Sequence, residues 1–233
     1  MPRYPAKVWA IKGGPMKPNA PKKTDYIKSL YIFCKYFKNI SGIVSQITCR
    51  KQPHNRSTGS VYIMVGFSKS GKTSVCKQHP QLAHLPRIES AQIHALLNLH
   101  IPDARDDNTV NGSRYWIRQL LTKLMVFRAF IRLSRQNVSF VLDSCHLTKK
   151  SRSWIIRHAR LSGYSTTILF VNCHEDELIR RLNEADSENI LQGKEPAWLD
   201  LYEEVQRLQF EPPTEDEADT LITITTSPSY HST

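Results

Sequence analysis

Eight consecutive residues, Gly66-Phe67-Ser68-Lys69-Ser70-Gly71-Lys72-Thr73, form the pattern G-x-x-x-x-G-K-T. A loop of this kind wraps a phosphate so that successive backbone N–H groups point at it, and glycine at the two pinch points lets the backbone turn. A lysine in the seventh place reaches the β- and γ-phosphates, and the hydroxyl in the eighth ligates Mg²⁺. The helix that opens after the second glycine adds its positive end. The spacing predicts a site for the phosphates of a nucleoside triphosphate running from Gly66 through Ser74, with Lys72 on the phosphates and Thr73 on Mg²⁺. The metal in such a site also takes an acid at the end of a nearby strand. Asp143, which closes the run VSFVLD (138–143), is the candidate.

These side chains need elements to hold them. The run 61–65 (VYIMV) is wholly apolar and β-rich, as a strand buried on both faces should be, and it leads straight into the loop. Further strands are expected in LPRIE (85–89), VSFVLD (138–143), STTILFV (165–171) and TLITITT (220–226). Helices are expected at 73–79, at 90–100, along the apolar stripe from Trp116 to Ile131, at 147–163 with Gly163 as the stop, at 174–185 and at 198–209. A polar loop is expected at 186–196. Strands that alternate with helices, each strand a continuous apolar run, imply an α/β fold with a parallel sheet covered on both faces.

The chain has 233 residues, 40% apolar and 23% charged, a composition of soluble globular proteins. No apolar run is long enough for a membrane-spanning helix. The five cysteines lie far apart with no CxxC pair, which fits reduced thiols and a cytoplasmic location. The net charge of +11 is unevenly placed: residues 1–58 hold twelve Lys or Arg and one acid, Asp25, while the other 175 hold twenty of each sign. We therefore expect a basic, partly disordered extension over 1–58, a nucleotide-binding domain over 59–226 and a disordered tail over 227–233. Within the extension, Tyr26–Ile40 is apolar almost all round; it reads as an element packed on the domain, or as a basic helix lying on a membrane or a nucleic-acid backbone.

Three segments in order, VYIMVGFSKSGKTS, VLDSCHLTKKSR and RLQFEPPTEDEADTLITI, resemble the phosphate-loop kinases related to polynucleotide 5′-hydroxyl kinase, over about residues 61–225. The resemblance implies a three-layer α/β/α fold of the nucleoside-kinase type, with five parallel strands in the order 2-3-1-4-5. It implies transfer of the γ-phosphate of ATP to a hydroxyl acceptor, a nucleic-acid 5′-hydroxyl first among them. Lys72, Thr73 and Asp143 match the family's nucleotide and metal positions, and Arg180 and Arg181 open the segment that supplies a lid arginine, with Lys194 as a stand-in. His146 stands where the family has Asn, and Ala91 where it carries the Asp that accepts the hydroxyl proton. Glu89, two residues earlier, is the substitute base, and Asp106 and Asp107 come next. Two alternatives stay open: a nucleotide-sugar kinase of the zeta-toxin type acting on a small-molecule hydroxyl, and an ATP-binding module without transfer activity that works through its basic extension.

Overall fold

The computed structural model describes residues 22–48, 59–101, 113–193 and 196–226. Five strands, β1 (Ser60–Val65), β2 (Arg87–Glu89), β3 (Phe140–Asp143), β4 (Ser165–Cys173) and β5 (Thr220–Thr226), form one sheet in the order β2-β3-β1-β4-β5. Every neighbouring pair is parallel, and central Ile63 lies opposite Leu142 on one side and Ile168 on the other. Order and direction are those expected from the sequence. Parallel neighbours need long crossovers, and the helices supply them: α3 (Lys72–Gln78), α4 (Ser90–His100), α5 (Ser113–Arg135), α6 (Lys149–Leu161) and α7 (Glu175–Leu191).

Alternate residues of a strand face opposite layers. Val61, Ile63 and Val65 share one buried cluster with Phe140 and Leu142 of β3, Leu121 and Met125 of α5, and Ile155 and Ile156 of α6. Met64, Val141 and Leu169 pack on the other face against Cys76 of α3 and Leu82. Burial pushes the Cys76 thiol up to about 12, so it serves there as a small apolar side chain. The start of α6 is set by Thr148, whose hydroxyl accepts from the Ser151 N–H at 3.2 Å. Its end is set by Gly163 at φ 76°.

Two more helices precede β1: α1 (Lys23–Lys35) and α2 (Phe37–Thr48), both packed along α5. Ile32 of α1 and Ile40, Ile43, Val44 and Ile47 of α2 belong to the same cluster as β1. The boundary expected at 58/59 thus falls between stretches that share buried side chains. The rest of the extension (1–21 and 49–58), the tail, Asp103, Asp106, Asp107 and Lys194 lie outside the described residues.

α7 differs from expectation, running to Leu191 through the segment read as polar loop. The acid at its position 186 is used from within the helix. Asp186 accepts from the N–H groups of Ala197, Trp198 and Leu199 at 2.8, 2.9 and 3.0 Å, capping the next helical run. That run comprises α8 (Trp198–Leu201), a π-helical stretch Tyr202–Gln206 and α9 (Arg207–Gln209). Among the described residues no helix is long and apolar enough to cross a membrane.

Candidate phosphate-binding site

The chain leaves β1 through Gly66 (φ 144°) and enters α3 through Gly71 (φ 100°). A Cβ at Gly66 would lie 2.6 Å from the Val171 carbonyl oxygen of β4, so a side chain there would force the loop off the sheet. The turn is clamped from distant segments. The Gly66 N–H donates to the Cys145 carbonyl at 3.1 Å, and the Thr226 hydroxyl donates to the Ser70 carbonyl at 3.1 Å. Phe67 packs edge-on against Tyr202 and beside Phe210, while the Lys69 ammonium sits 4.7 Å from the Trp198 ring centroid. Lys72 is 7% exposed, and its ammonium donates to the Phe67 carbonyl of the same loop. The Ser70 hydroxyl is buried there without a hydrogen-bond partner among the described residues. A buried ammonium with only a neutral acceptor, beside a polar atom left unsatisfied, fits an anion better than it fits the loop alone.

Thr73 Oγ1 donates to Asp143 Oδ2 at 2.9 Å, bringing together residues 70 apart in the chain. Asp143 is 4% exposed. Mg²⁺ takes hard oxygen donors and is commonly held by one or two protein groups together with phosphates and water, which this hydroxyl and carboxylate fit. Among the described residues no three His, Cys, Asp or Glu side chains gather into a metal-holding group.

β2 ends at Glu89, opposite Asp143 in the ladder, whereas Ala91 lies in the first turn of α4. The residue at the strand end is therefore the glutamate. Arg87 Nη2 donates to Glu89 Oε2 at 2.9 Å, and Arg87 Nε lies 3.8 Å from Asp143 Oδ2, so one guanidinium spans both carboxylates. The two arginines of α7 divide. Arg181 Nε donates to Glu177 Oε1 at 2.7 Å, and its Nη1 reaches the Lys69 carbonyl at 3.4 Å, which puts it against the loop. Arg180 is turned to its own helix, donating to Glu177 at 2.7 and 2.8 Å and to Glu184. Arg180, then Arg181, holds the Glu177 carboxyl down at about 2. Ser74, in α3, belongs to the predicted loop set by sequence position alone.

His146 takes a left-handed φ of 44°, a conformation that Asn adopts far more readily than most residues. The ring Nε2 of His146 is buried without a partner among the described residues, and burial, then the charges of Lys72 and Arg152, pulls its pKa to about 4.

Sequence reasoning missed Gln206. Its Oε1 accepts from the Ser68 N–H at 3.0 Å and its Nε2 donates to the Ser68 hydroxyl at 2.7 Å, across 138 residues. It lies in the π-helical stretch, a local widening frequent at functional sites. The sequence offers only a glutamine between Val205 and Arg207 on a mixed apolar and charged helix, which carries no signal of its own.

Comparisons with known proteins bear on the fold and the family. Among curated proteins none matches the chain. A solved structure from Chloroflexus aurantiacus, described as a candidate kinase, aligns with a TM-score of 0.55 and 17% identity, covering 73% of this chain and 87% of its own. A chain of the PezAT chromosomal toxin–antitoxin system of Streptococcus pneumoniae aligns with a TM-score of 0.59 and 11% identity, covering 90% and 81%. At such identities these likenesses speak for the fold. The family model described as an AAA domain matches residues 61–199, from the central strand through the loop, Asp143 and the arginines of α7. With a phosphate loop on the central strand of a 2-3-1-4-5 sheet, the chain belongs to this AAA domain family.

Proposed function

We propose that this protein is an ATP- and Mg²⁺-dependent phosphotransferase, related to the polynucleotide 5′-hydroxyl kinases, that moves the γ-phosphoryl group to a nucleic-acid 5′-hydroxyl. The observation that carries the reading is the Thr73–Asp143 pair at 2.9 Å beside a buried Lys72 without a carboxylate partner among the described residues. Phosphoryl transfer asks the protein for positioning and charge, with little covalent chemistry. In this reading the loop N–H groups and Lys72 hold the phosphates, and Thr73 and Asp143 hold Mg²⁺, which supplies charge neutralisation at the phosphate oxygens. Arg181 brings a guanidinium to the loop, and Arg180 keeps Glu177 aligned so that Arg181 stays there. Glu89 takes the proton of the acceptor hydroxyl, with Arg87 orienting its carboxylate.

The likeness to a PezAT chain supports a second reading, in which the acceptor is a nucleotide sugar, as in zeta-toxin-type kinases. One assay separates the two: ATP turnover with a 5′-hydroxyl oligonucleotide set beside turnover with a UDP-sugar. Loss of a general base lowers rates by about 10²–10⁴, so Glu89→Gln should lose that much and Ala91→Asp should gain little. ATP binding with no transfer to either acceptor would leave a nucleotide-binding module. In that case Ala91→Asp is the variant expected to raise turnover.

A further inference from the structure

A groove between α2 and α5 is lined by Ser41 and Val44 on one side and by Arg128, Ile131, Arg132, Arg135 and Gln136 on the other, with a cavity volume of about 480 Å³. Arg135 closes α5, and β3 begins soon after at Phe140. The groove therefore sits at the N-terminal end of the parallel strands, while the phosphate loop leaves the C-terminal end of β1. What binds in one place is separate from what happens in the other.

The chemistry of the groove is one-sided. Neither α2 nor α5 contains an Asp or Glu, and the three helices α1, α2 and α5 together carry ten Lys or Arg against one acid, the buried Asp25. The contacts that hold the guanidiniums are neutral. Arg128 Nη2 donates to the Ser41 hydroxyl at 3.3 Å and lies 4.4 Å from the Phe37 ring centroid, and Arg132 Nη1 donates to the Ser45 hydroxyl at 2.9 Å. Among the described residues no carboxylate pairs with Arg128, Arg132 or Arg135. At a rise of 1.5 Å per residue they form a row roughly 10 Å long on one face of the helix. Guanidinium groups bind phosphates bidentately, and a basic groove that tracks a backbone is how single strands are held without sequence preference.

We propose that this groove binds the phosphodiester backbone of single-stranded nucleic acid, as an anchor distinct from the phosphate loop. The competing occupant is an anionic bilayer, because Tyr26, Ile27, Leu30 and Tyr31 are exposed on α1. The guanidiniums, however, line a recess, which a strand can enter and a flat lipid surface cannot.

The test measures binding of the full chain to a fluorescein-labelled single-stranded oligothymidylate between about 50 and 200 mM salt. Each phosphate contact contributes about 0.7 to the slope of log affinity against log salt. Arg132→Gln/Arg135→Gln should therefore flatten the slope by about 1.4 and weaken binding at low salt roughly tenfold or more. Arg132→Lys/Arg135→Lys should keep the slope and lose part of the affinity, because it keeps charge but not the planar fork. ATP affinity should be unchanged in both variants, which shows that they fold. An unaltered slope in the Gln variant, or binding to phosphatidylserine vesicles with none to the oligonucleotide, would overturn the proposal. Phosphate transfer is not read out, so failure here leaves the kinase reading standing, and failure of that reading leaves the groove.

Discussion

Two buried cations, Arg152 in α6 and Lys72 in the phosphate loop, show how the same kind of charge can serve structure or chemistry. Arg152 is 0% exposed and forms a bidentate pair with Glu217 at 2.7 and 2.9 Å; it also donates to the His146 and Leu147 carbonyls. Glu217 in turn accepts from the Thr214 N–H at 3.1 Å. Burial would push the Glu217 carboxyl up, but the bonds from Arg152 and Thr214 hold it below the usual carboxylate range. Every charge in this clamp has its counter-charge, and the clamp ties α6 to the turn before β5. Lys72 is nearly as buried and among the described residues has only the Phe67 carbonyl. A cation whose charge is answered locally can do nothing further. One answered only by a dipole still attracts an anion.

The largest effect should come from unpairing the clamp. Glu217→Gln leaves the Arg152 charge buried and uncompensated, which typically destabilises by about 3–5 kcal/mol. Chemical denaturation should show that loss, while the folded fraction binds ATP normally. Arg152→Met/Glu217→Leu should recover most of it, since a well-packed apolar pair commonly replaces a buried ion pair without penalty. Next comes Lys72→Ala. Removing one charged donor from the transferring phosphate should cut turnover roughly 10²–10³-fold, yet the thermal midpoint should hold or rise, because an uncompensated buried charge has gone. A midpoint that dropped as far as that of Glu217→Gln would make Lys72 a structural cation and erase the contrast.

The third test uses His146, which lies between the two. Its pKa is about 4 in the folded chain against an ordinary 6.5. Below 6.5 the unfolded chain takes up a proton that the folded chain refuses, so acid favours unfolding. Its contribution is whole above pH 6.5 and falls away as pH drops toward 4, by roughly 3 kcal/mol across that span. His146→Asn should remove this slope and suit the left-handed φ of 44°. Denaturation curves at pH 7 and pH 4.5 for both proteins would check it, and an equal acid loss in both would place the titration elsewhere.

Much of the site was legible because its chemistry is local. The loop's glycines, Lys72 and Thr73 fall within eight residues, and the strand that delivers them is a continuous apolar run. Asp143 was legible by a weaker rule, that the acid closes a strand beside the central one, and the ladder puts it there. Glu89 was legible only as a substitute. Its place at the true end of β2, opposite Asp143, depends on where the strand stops, and propensity places such ends poorly in a three-residue strand. Arg180 and Arg181 could not be told apart, since adjacent residues on a helix point about 100° apart and only the packed position of α7 decides which meets Lys69.

The sequence by itself determined the parallel α/β class, the central strand, the phosphate loop and the concentration of positive charge before residue 59. Each of these is a periodicity, a spacing or a composition, which neighbouring residues carry among themselves. Tertiary structure alone decided that α1 and α2 join the core, that Gln206 meets Ser68 across 138 residues, and that Arg128 and Arg132 meet Ser41 and Ser45 across 87. The arginines of α5 sit in a stretch whose charges sum to zero along the chain, yet among the described residues no carboxylate pairs with Arg128, Arg132 or Arg135. A net charge read along a sequence averages over faces that only packing separates.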